Sequence, residues 1–310
     1  MLVSNLRTIR DRLLKARPDF LVIGTQKAGT TSLFHYLQAH PDIRPCRHRK
    51  ELHFFDLYYD RGLDWYLSHF PYRHQRNGKL WFEATPDYLC HAEVTADRIR
   101  RDLAPLKLVV VLRNPVERAF SAWKMWHGFL DVPEQRHRAD PRPFARAIAQ
   151  EMAAPDKAST RPFYYLAHGR YAQQLTHYYK QFDRKDILVL DHADMERDLH
   201  GLLGHLCRFL GLAPLPRPVT EGLGRTRYWA SPARTATAED REALQRLAAY
   251  YGPHDEALRL LLGRTFSWMT PAPTASNASL TRAPTNTPPP PDAISSSGAF
   301  GLTTHEKGLQ

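Results

Sequence analysis

Cysteine and long apolar runs are scarce in this chain of 310 residues. Its three cysteines, Cys46, Cys90 and Cys207, are odd in number and far apart, which excludes a disulfide framework and the usual spacing of a zinc site. This cysteine usage is typical of a reducing compartment. The first 17 residues are basic, but they lack the apolar run of a signal peptide or a membrane span. We therefore expect a soluble cytoplasmic protein without a transmembrane segment.

Acidic residues are in the minority. The 43 Lys and Arg residues exceed the 32 Asp and Glu residues, so the formal net charge is +11. From residue 270 onward the charges balance, and the whole excess belongs to residues 1–269. A basic surface suits polyanions such as nucleotides, sulfated or carboxylated glycans, nucleic acids and membranes. Charge alone does not choose among these partners, and basic domains without a polyanionic partner also exist.

The end of the chain has a different composition. Residues 270–310 contain seven prolines among 41 residues, with many Ser, Thr and Ala. Such a segment cannot bury a core, so the composition predicts disorder. We predict one domain over residues 1–269 and a disordered tail over residues 270–310.

One segment joins a buried strand to a glycine-rich turn. The apolar run 21–23 is typical of a buried parallel strand, and it is followed by Gly24 and Gly29 within the sequence GTQKAGTT. Apolar residues then recur at helical spacing over residues 33–37. A strand, a glycine turn and a helix N-terminus point several backbone N–H groups at one spot and favour an anion there.

This turn departs from the P-loop of nucleotide-triphosphate enzymes in one respect. Such a P-loop has Lys directly after its second glycine, whereas this chain has Thr30 there and places Lys27 inside the loop. A second apolar strand, residues 107–112, ends in Arg113 and not in an acid that could hold magnesium. These features indicate a nucleotide donor bound without a metal, whose transferred group carries less charge than a phosphoryl group.

The order of the remaining segments indicates the fold class. Apolar strands alternate with helical segments, which predicts an α/β fold with a P-loop-like, doubly wound parallel sheet flanked by helices. The polar, proline-interrupted segment 131–160 is predicted to be a mobile lid or an acceptor-binding loop.

The segments GTQKAGTT and VVVLRNPVERAFSAW resemble sulfotransferases that use 3′-phosphoadenosine 5′-phosphosulfate (PAPS). The resemblance is closest to the heparan sulfate N-sulfotransferase and 3-O-sulfotransferase group, and it extends from about residue 20 to residue 269. Further matching segments follow in the family's order: KELHFFD at 50–56, RGLDWYLSHFP at 61–71, EATPDY at 83–88 and GRTFSW at 263–268. The resemblance implies sulfuryl transfer from PAPS, with no metal, to a hydroxyl or amine of a carbohydrate or another small molecule. It implies no nucleic-acid partner.

Sulfuryl transfer needs a cation at the leaving oxygen and a base on the opposite side. We choose Lys27 as the cation, against the alternative of an ordinary solvated loop lysine. Arg113 and Ser121 match the family's 3′-phosphate site, although Arg113 could instead pair with an acid such as Glu83. The loop that would hold the 5′-phosphate consists of Gly24, Thr25, Gln26, Lys27, Ala28, Gly29, Thr30 and Thr31.

We choose Glu51 as the base, because the resembled glycan sulfotransferases have an acid in that role before the aromatic pair. Most other sulfotransferases use a histidine, and His48 and His53 are close enough in sequence to compete. Glu51 could also simply neutralise the basic residues around it, Arg49 and Lys50 among them.

A third donor contact is expected at Arg234. The resembled family has a Lys-Gly-Arg run there, whereas this chain has Pro232 and Ala233 before the arginine. Ala84 also stands where the 3-O-sulfotransferases have a lysine. These departures argue against assuming heparan sulfate as the acceptor. A P-loop nucleotide kinase and a non-catalytic polyanion-binding module are the alternatives to a sulfotransferase.

Overall fold

The apolar runs of the sequence form a parallel sheet. The computed structural model describes residues 14–47, 50–154, 163–226, 228 and 233–269. Five strands lie within these residues: β1 (Phe20–Gly24), β2 (Ile43–Pro45), β3 (Leu80–Ala84), β4 (Lys107–Leu112) and β5 (Ile187–Asp191). Their order is β2-β3-β1-β4-β5, and all neighbours pair in parallel. The predicted fold class is confirmed.

Helices cover both faces of this sheet, as residue alternation along the strands requires. The helices of the described residues are α1 (Thr30–Gln38), α2 (Gly62–Leu67), α3 (Asp87–Cys90), α4 (Ala92–Leu103), α5 (Pro115–Gly128), α6 (Phe144–Met152), α7 (Tyr171–Gln181), α8 (His192–Arg197), α9 (Leu199–Leu210), α10 (Arg217–Gly224) and α11 (Ala238–Leu262). Leu21 and Ile23 of β1 pack with α4 and α7. Phe20 and Val22 pack with α1 and α9 on the other face.

The central position of β1 places the site. Its Phe20 pairs with Phe82 of β3 on one side and with Lys107 of β4 on the other. The loop after β1 therefore emerges between the carboxyl ends of β3 and β4, where open α/β sheets bind their ligands. The helix after β4 starts at Pro115, whose missing N–H suits a first helical turn, and the Asn114 side chain accepts a hydrogen bond from the Val116 N–H at 3.0 Å.

The segment predicted to be a mobile lid contains regular structure. It includes α6 and the 3₁₀-helix Pro133–Arg138. Asp140 is fully buried; its carboxylate accepts hydrogen bonds from the Arg142 guanidinium at 2.6 Å and from the Tyr165 hydroxyl at 2.9 Å. The bond between Asp140 and Tyr165 ties the segment around residue 140 to the chain that follows it. The role of residues 131–160 as a lid or an acceptor-binding loop stays a prediction. Residues 155–162 lie outside the described residues.

Three further expectations concern the C-terminal tail, the cysteines and the absence of a transmembrane segment. The predicted tail, 270–310, lies outside the described residues. The three cysteines form no disulfide, and Cys46 and Cys207 are buried. Among the described helices, none is both long and apolar enough to cross a membrane.

Phe82 tests the packing of the central strands. It is fully buried, its ring stacks on Phe20 with centroids 5.1 Å apart, and it lies 5.2 Å from the ring of Phe34 in α1. We expect Phe82→Ala to lower the free energy of unfolding by about 3–5 kcal/mol, because it leaves a cavity between sheet and helix. Leu260→Ala is the control, since Leu260 is 67% exposed, and it should change this free energy by less than about 0.5 kcal/mol. Urea denaturation measures both, and similar losses in the two variants would contradict this packing.

Candidate active site

The loop between β1 and α1 needs glycine at two positions. A Cβ atom on Gly24 would lie 2.6 Å from the Cβ of Leu89 in α3. Gly29 has a φ of +83°, and a Cβ there would lie 2.9 Å from the Met195 sulfur of α8. Gly29 also precedes the first residue of α1, Thr30. Close approach of neighbouring elements and left-handed backbone therefore fix the two glycines that the sequence singled out.

Not every residue of the loop offers its amide to a ligand. The Thr25 N–H donates to the Val111 carbonyl at 3.0 Å, and the Ala28 N–H donates to the Thr25 carbonyl at 3.1 Å. These two amides shape the loop in the ligand-free structure, and the prediction that Thr25 and Ala28 contact the donor stays a prediction. The other N–H groups expected to meet an anion are those of the rest of the loop, around the N-terminus of α1.

Lys27 lies among other cations. Its Nζ is 3.7 Å from the Met125 sulfur of α5, and the Arg113 guanidinium donates to the Lys27 carbonyl at 3.2 Å. Burial and the charges of Arg113, Lys124 and Arg118 lower the pKa of Lys27 to about 8. Lys27 is therefore half-buried against α5, unlike a fully solvated loop lysine. Positive charge is concentrated where the loop meets α5.

Arg113 follows β4 and turns back onto α5. Its guanidinium pairs with the Glu117 carboxylate at 3.1 Å, whereas Glu83, the alternative acid, is buried elsewhere. The Tyr171 hydroxyl donates to the Arg113 carbonyl at 2.8 Å, which fixes the backbone at the strand end. Arg113 is 25% exposed, so its guanidinium can reach a ligand.

Ser121 lies on the face of α5 that looks toward this cluster. Residues three and four apart share a helix face, and Ser121 lies four residues after Glu117 and four before Met125. Since Glu117 contacts Arg113 and Met125 contacts Lys27, the buried Ser121 belongs to the same face. The structure thus brings Lys27, Arg113 and Ser121 to one side of the loop.

Two cations of this region were missed by the sequence reasoning. Lys124 lies three residues after Ser121, and burial followed by the charge of Arg113 lowers its pKa. The helical spacing could have identified it. Arg118 is fully buried, and its guanidinium donates to the Tyr165 carbonyl at 2.5 Å. Nothing in the sequence distinguishes Arg118 from a surface arginine.

Glu51 lies on a short segment of unusual backbone. Its φ is 65°, in the left-handed region that residues other than glycine rarely adopt. Its carboxylate pairs with the Lys50 ammonium and lies 3.8 Å from the Nε2 of His53. Burial acts to raise the pKa of Glu51, but Lys50 and His53 outweigh it and lower the pKa to about 2. The side chain is 40% exposed, so an ionised carboxylate is available to a ligand.

His53 is held as a charged donor. Its Nδ1 lies 2.8 Å from the Asp56 carboxylate. Burial lowers the pKa of His53, but the hydrogen bond to Asp56 and the nearby carboxylate of Glu51 raise it well above its usual value. A histidine that is paired with the Asp56 carboxylate and kept charged is a poor proton acceptor, which is compatible with Glu51 as the base. His48, the other competing histidine, lies outside the described residues.

Asp56 and Asp87 lie beside His53, between the glycine-rich loop and the segment that carries Glu51. Ligand-type atoms of His53, Asp56 and Asp87 all lie within 4.8 Å of one another, a spacing that could also hold a cation. Burial raises the pKa of Asp87 to about 6. The Gln26 side-chain amide of the loop donates to Asp87 at 3.3 Å. Gln26 therefore ties the glycine-rich loop to the segment that carries Glu51.

Arg234 is placed differently from the other predicted residues. Its guanidinium pairs with Asp131, just after α5, at 2.9 Å. Pro232 lies outside the described residues, whereas Ala233 is described. The structure thus ties Arg234 to Asp131, and its expected contact with a donor stays a prediction.

Known proteins are similar to this chain in sequence and in fold. The sulfotransferase domain family matches residues 17–227. The chain belongs to the sulfotransferase family. Mouse heparan sulfate glucosamine 3-O-sulfotransferase 6 is 31% identical over 273 residues, which cover 81% of this chain and 73% of the mouse protein. Human heparan sulfate glucosamine 3-O-sulfotransferase 3A1 is 29% identical over 287 residues, covering 86% of this chain and 66% of the human one.

Solved sulfotransferases have the same architecture. The crystal structure of a sulfotransferase from Alicyclobacillus acidocaldarius covers 82% of this chain and 99% of its own, with a TM-score of 0.63 and 28% identity. A mouse sulfotransferase complexed with PAP covers 83% of this chain and 93% of its own, with a TM-score of 0.50 and 16% identity. The predicted family and fold are confirmed, and the enzyme class follows: this chain is a sulfotransferase.

Gly29 tests whether the loop needs the close approach to α8. Gly29→Ala adds the strain of left-handed backbone, about 1–2 kcal/mol, and a clash with Met195. Gly211→Ala is the matched control, because Gly211 has a φ of +78° but nothing within 4 Å of an added Cβ. We expect a larger loss of unfolding free energy for Gly29→Ala in urea denaturation, and a loss of turnover in that variant alone. If the two variants lose unfolding free energy and turnover equally, the close approach of Gly29 to Met195 is not what the loop requires.

Proposed function

We propose that this sulfotransferase moves a sulfuryl group from PAPS to a hydroxyl or amine of a carbohydrate acceptor. One arrangement supports the proposal: the half-buried Lys27 follows Gln26, which donates to Asp87 at 3.3 Å, and His53 beside Asp87 lies 3.8 Å from the carboxylate of Glu51. Lys27 and Glu51 lie 24 positions apart in the sequence, on different loops. Sulfuryl transfer needs this pair of groups on opposite sides of the transferred atom.

The cations of the site suit the phosphates of the donor. Lys27, the α1 N-terminus and the Thr30 and Thr31 hydroxyls would bind the 5′ side, and Arg113 with Ser121 would bind the 3′-phosphate. Each charge-assisted hydrogen bond to phosphate contributes about 1.5–3 kcal/mol. Glu117 holds Arg113 in the ligand-free arrangement; because Glu117 is 54% exposed, exchanging it for a phosphate is not costly.

The donor supplies a sulfuryl group attached to a phosphate oxygen. As the acceptor attacks sulfur, the bond to that oxygen breaks and the negative charge on the phosphate grows. Lys27 stabilises this charge. The acceptor O–H or N–H becomes strongly acidic once its bond to sulfur forms, and Glu51 takes the proton. A carboxylate of low pKa suffices at this stage, because the proton it receives is more acidic still.

The acceptor class is inferred from relatives and charge. The relatives named above are heparan sulfate glucosamine 3-O-sulfotransferases, and a net charge of +11 suits an anionic glycan. Ala84, in place of the lysine of the 3-O-sulfotransferases, gives this chain one cation fewer near Glu83. We therefore propose a carbohydrate acceptor without assigning it to heparan sulfate. The cytoplasmic location stays a prediction.

The alternative functions have less support. A nucleotide kinase needs an acid at the end of β4 to hold magnesium, and Arg113 is there instead. A passive polyanion-binding module does not need a carboxylate base beside Lys27. Membership of the sulfotransferase family also disfavours both alternatives.

Calorimetry and a labelled donor test the proposal. The protein should bind adenosine 3′,5′-bisphosphate with a chelator present, and it should transfer labelled sulfuryl from PAPS to members of a glycan and small-molecule panel, read by mass spectrometry. Magnesium-dependent binding of ATP in place of the bisphosphate would indicate the kinase. Binding that depends on salt but not on the nucleotide would indicate the module.

The base is tested by Glu51→Gln, which keeps the size of the side chain and removes its proton acceptor. Turnover should fall by a factor of roughly 10²–10⁴, whereas bisphosphate affinity should stay within about twofold of wild type. His53→Asn serves as the comparison, because an amide keeps a polar side chain at this position but cannot act as a proton acceptor. Should His53→Asn be inactive while Glu51→Gln keeps most of its activity, the base is the histidine.

Lys27 predicts a pH dependence of donor binding. Its pKa in the free protein is about 8, and a bound phosphate raises it, so binding takes up a proton. Bisphosphate affinity should therefore fall as the pH rises above about 8, by at most about tenfold per pH unit. Lys27→Arg should remove this dependence, since arginine keeps its charge. Isothermal titration from pH 7 to pH 9.5 measures both proteins; parallel curves would assign the titration to another group.

A further inference from the structure

The segment that carries the base has strained backbone at two positions. Glu51 has a φ of 65° and His53 a φ of 52°, and neither is glycine. Such conformations persist only where the surroundings over-determine them. The contacts that hold residues 51–53, called here the base segment, therefore decide whether the base is correctly placed.

Two side chains hydrogen-bond the backbone of the base segment: Glu83 in β3 and Thr85 directly after β3. The Glu83 carboxylate accepts a hydrogen bond from the Leu52 N–H at 3.4 Å. The Thr85 hydroxyl accepts one from the His53 N–H at 3.2 Å and donates its own proton to the same Glu83 oxygen. Glu83 thus holds one amide directly and the next one through Thr85.

Glu83 is a carboxylic acid at a fully buried position of β3, where apolar side chains are usual. Its exposed fraction is 0%, and its second carboxylate oxygen has no hydrogen-bond partner among the described residues. Burial raises the pKa of Glu83 to about 7, although the hydrogen bonds from Thr85 and Leu52 act to lower it. An apolar side chain would be cheaper to bury at this position. The carboxyl group therefore needs a reason other than the packing of β3.

We propose that Glu83 is a positioning residue for sulfuryl transfer, which holds the base segment through the Leu52 N–H and the Thr85 hydroxyl so that Glu51 faces the acceptor. The inference rests on the proposed function, because it takes Glu51 as the base. Glu83 does not touch the acceptor in this scheme; it acts through residues 51–53. Loss of its hydrogen bonds lets the segment relax from its left-handed conformation and turns the carboxylate of Glu51 away from the acceptor.

The position of these contacts predicts which step is affected. The loop of Lys27 is joined to Asp87 by Gln26, a contact separate from Glu83. Donor binding should therefore survive the loss of Glu83, while turnover should not. A residue needed only for stability would reduce neither quantity in the protein that remains folded.

The decisive variants differ in whether they can accept a hydrogen bond. Glu83→Met fills a similar volume without an acceptor, and its turnover should fall at least tenfold with bisphosphate affinity within twofold of wild type. Glu83→Gln keeps an acceptor oxygen and should recover most of the turnover. Glu151→Met is the matched control: Glu151 also accepts two backbone amides, from Tyr165 at 3.2 Å and Leu166 at 2.8 Å, away from the base segment. It should lower stability and leave turnover of the folded protein unchanged.

A second pair of variants covers the case in which Glu83→Met does not fold. Thr85→Val removes only the hydroxyl that joins Glu83 to His53, and Thr85→Ser retains it. Turnover should fall in the valine variant and be kept in the serine variant. Wild-type turnover in folded Glu83→Met or in Thr85→Val overturns the inference. So does a parallel loss of turnover and bisphosphate affinity.

Hydrogen exchange provides a readout that needs no activity. Amides of a peptide spanning residues 50–56 should exchange at least tenfold faster in Glu83→Met and Thr85→Val than in wild type, and peptides from α1 should be unchanged. Unchanged exchange over 50–56 also overturns the inference. If wild type transfers no sulfuryl group to any acceptor, the proposed function fails; an active wild type with fully active Glu83→Met and Thr85→Val variants contradicts only the role of Glu83.

Discussion

Repulsion among cations at the carboxyl edge of the sheet is the constraint on which the site depends. Lys27, Arg113 and Lys124 lie close enough for the charge of Arg113 to lower the pKa of both lysines. Bringing like charges together costs free energy, and the sheet core and the packing of α1 and α5 against it hold them. The arrangement is complementary to a polyanion. A ligand with two phosphates would therefore reduce the electrostatic repulsion among these cations.

A second set of charges has the opposite sign. Glu51, Asp56 and Asp87 surround the imidazolium of His53, which is the cation shared by all three. Burial raises the pKa of Asp87 to about 6 while Glu51 stays ionised. The environments thus push two neighbouring carboxyl groups apart in pKa, which is the pattern expected where one of them, Glu51 in the proposed function, takes part in proton transfer. Gln26 connects this set with the loop of Lys27.

The parts of the site that follow from local sequence could be predicted. Glycine spacing after an apolar strand located the loop, and Arg113 after a second strand located the facing cation, because parallel strands end at one edge. Glu51 required a family resemblance, since nothing in its local pattern distinguishes it from a surface acid among basic residues. Its backbone conformation, by contrast, depends on Glu83 and Thr85, about thirty residues away in the sequence.

The contacts that sequence reasoning did not foresee join residues that are distant in the sequence. Arg118 looks like any helical arginine, yet it is fully buried. Arg234 has the expected charge but pairs with Asp131, 103 positions away in the sequence. The segment 131–160 has the composition of a loop, but Asp140 buried against Arg142 and Tyr165 holds part of it in place. Periodicity and composition do not report which distant side chains meet.

The two sets of charges affect each other once a donor is bound. Lys27 responds to the cations and also to Glu51, whose charge acts to raise its pKa. A donor with two phosphates adds negative charge beside the same groups, which raises the pKa of Lys27 and, by the same Coulombic effect, that of Glu51. In the free protein Glu51 is a weak base with a pKa of about 2. Under the proposed function, donor binding would make Glu51 a stronger base than it is in the free protein, which adds to the acidity that the acceptor proton gains as its bond to sulfur forms.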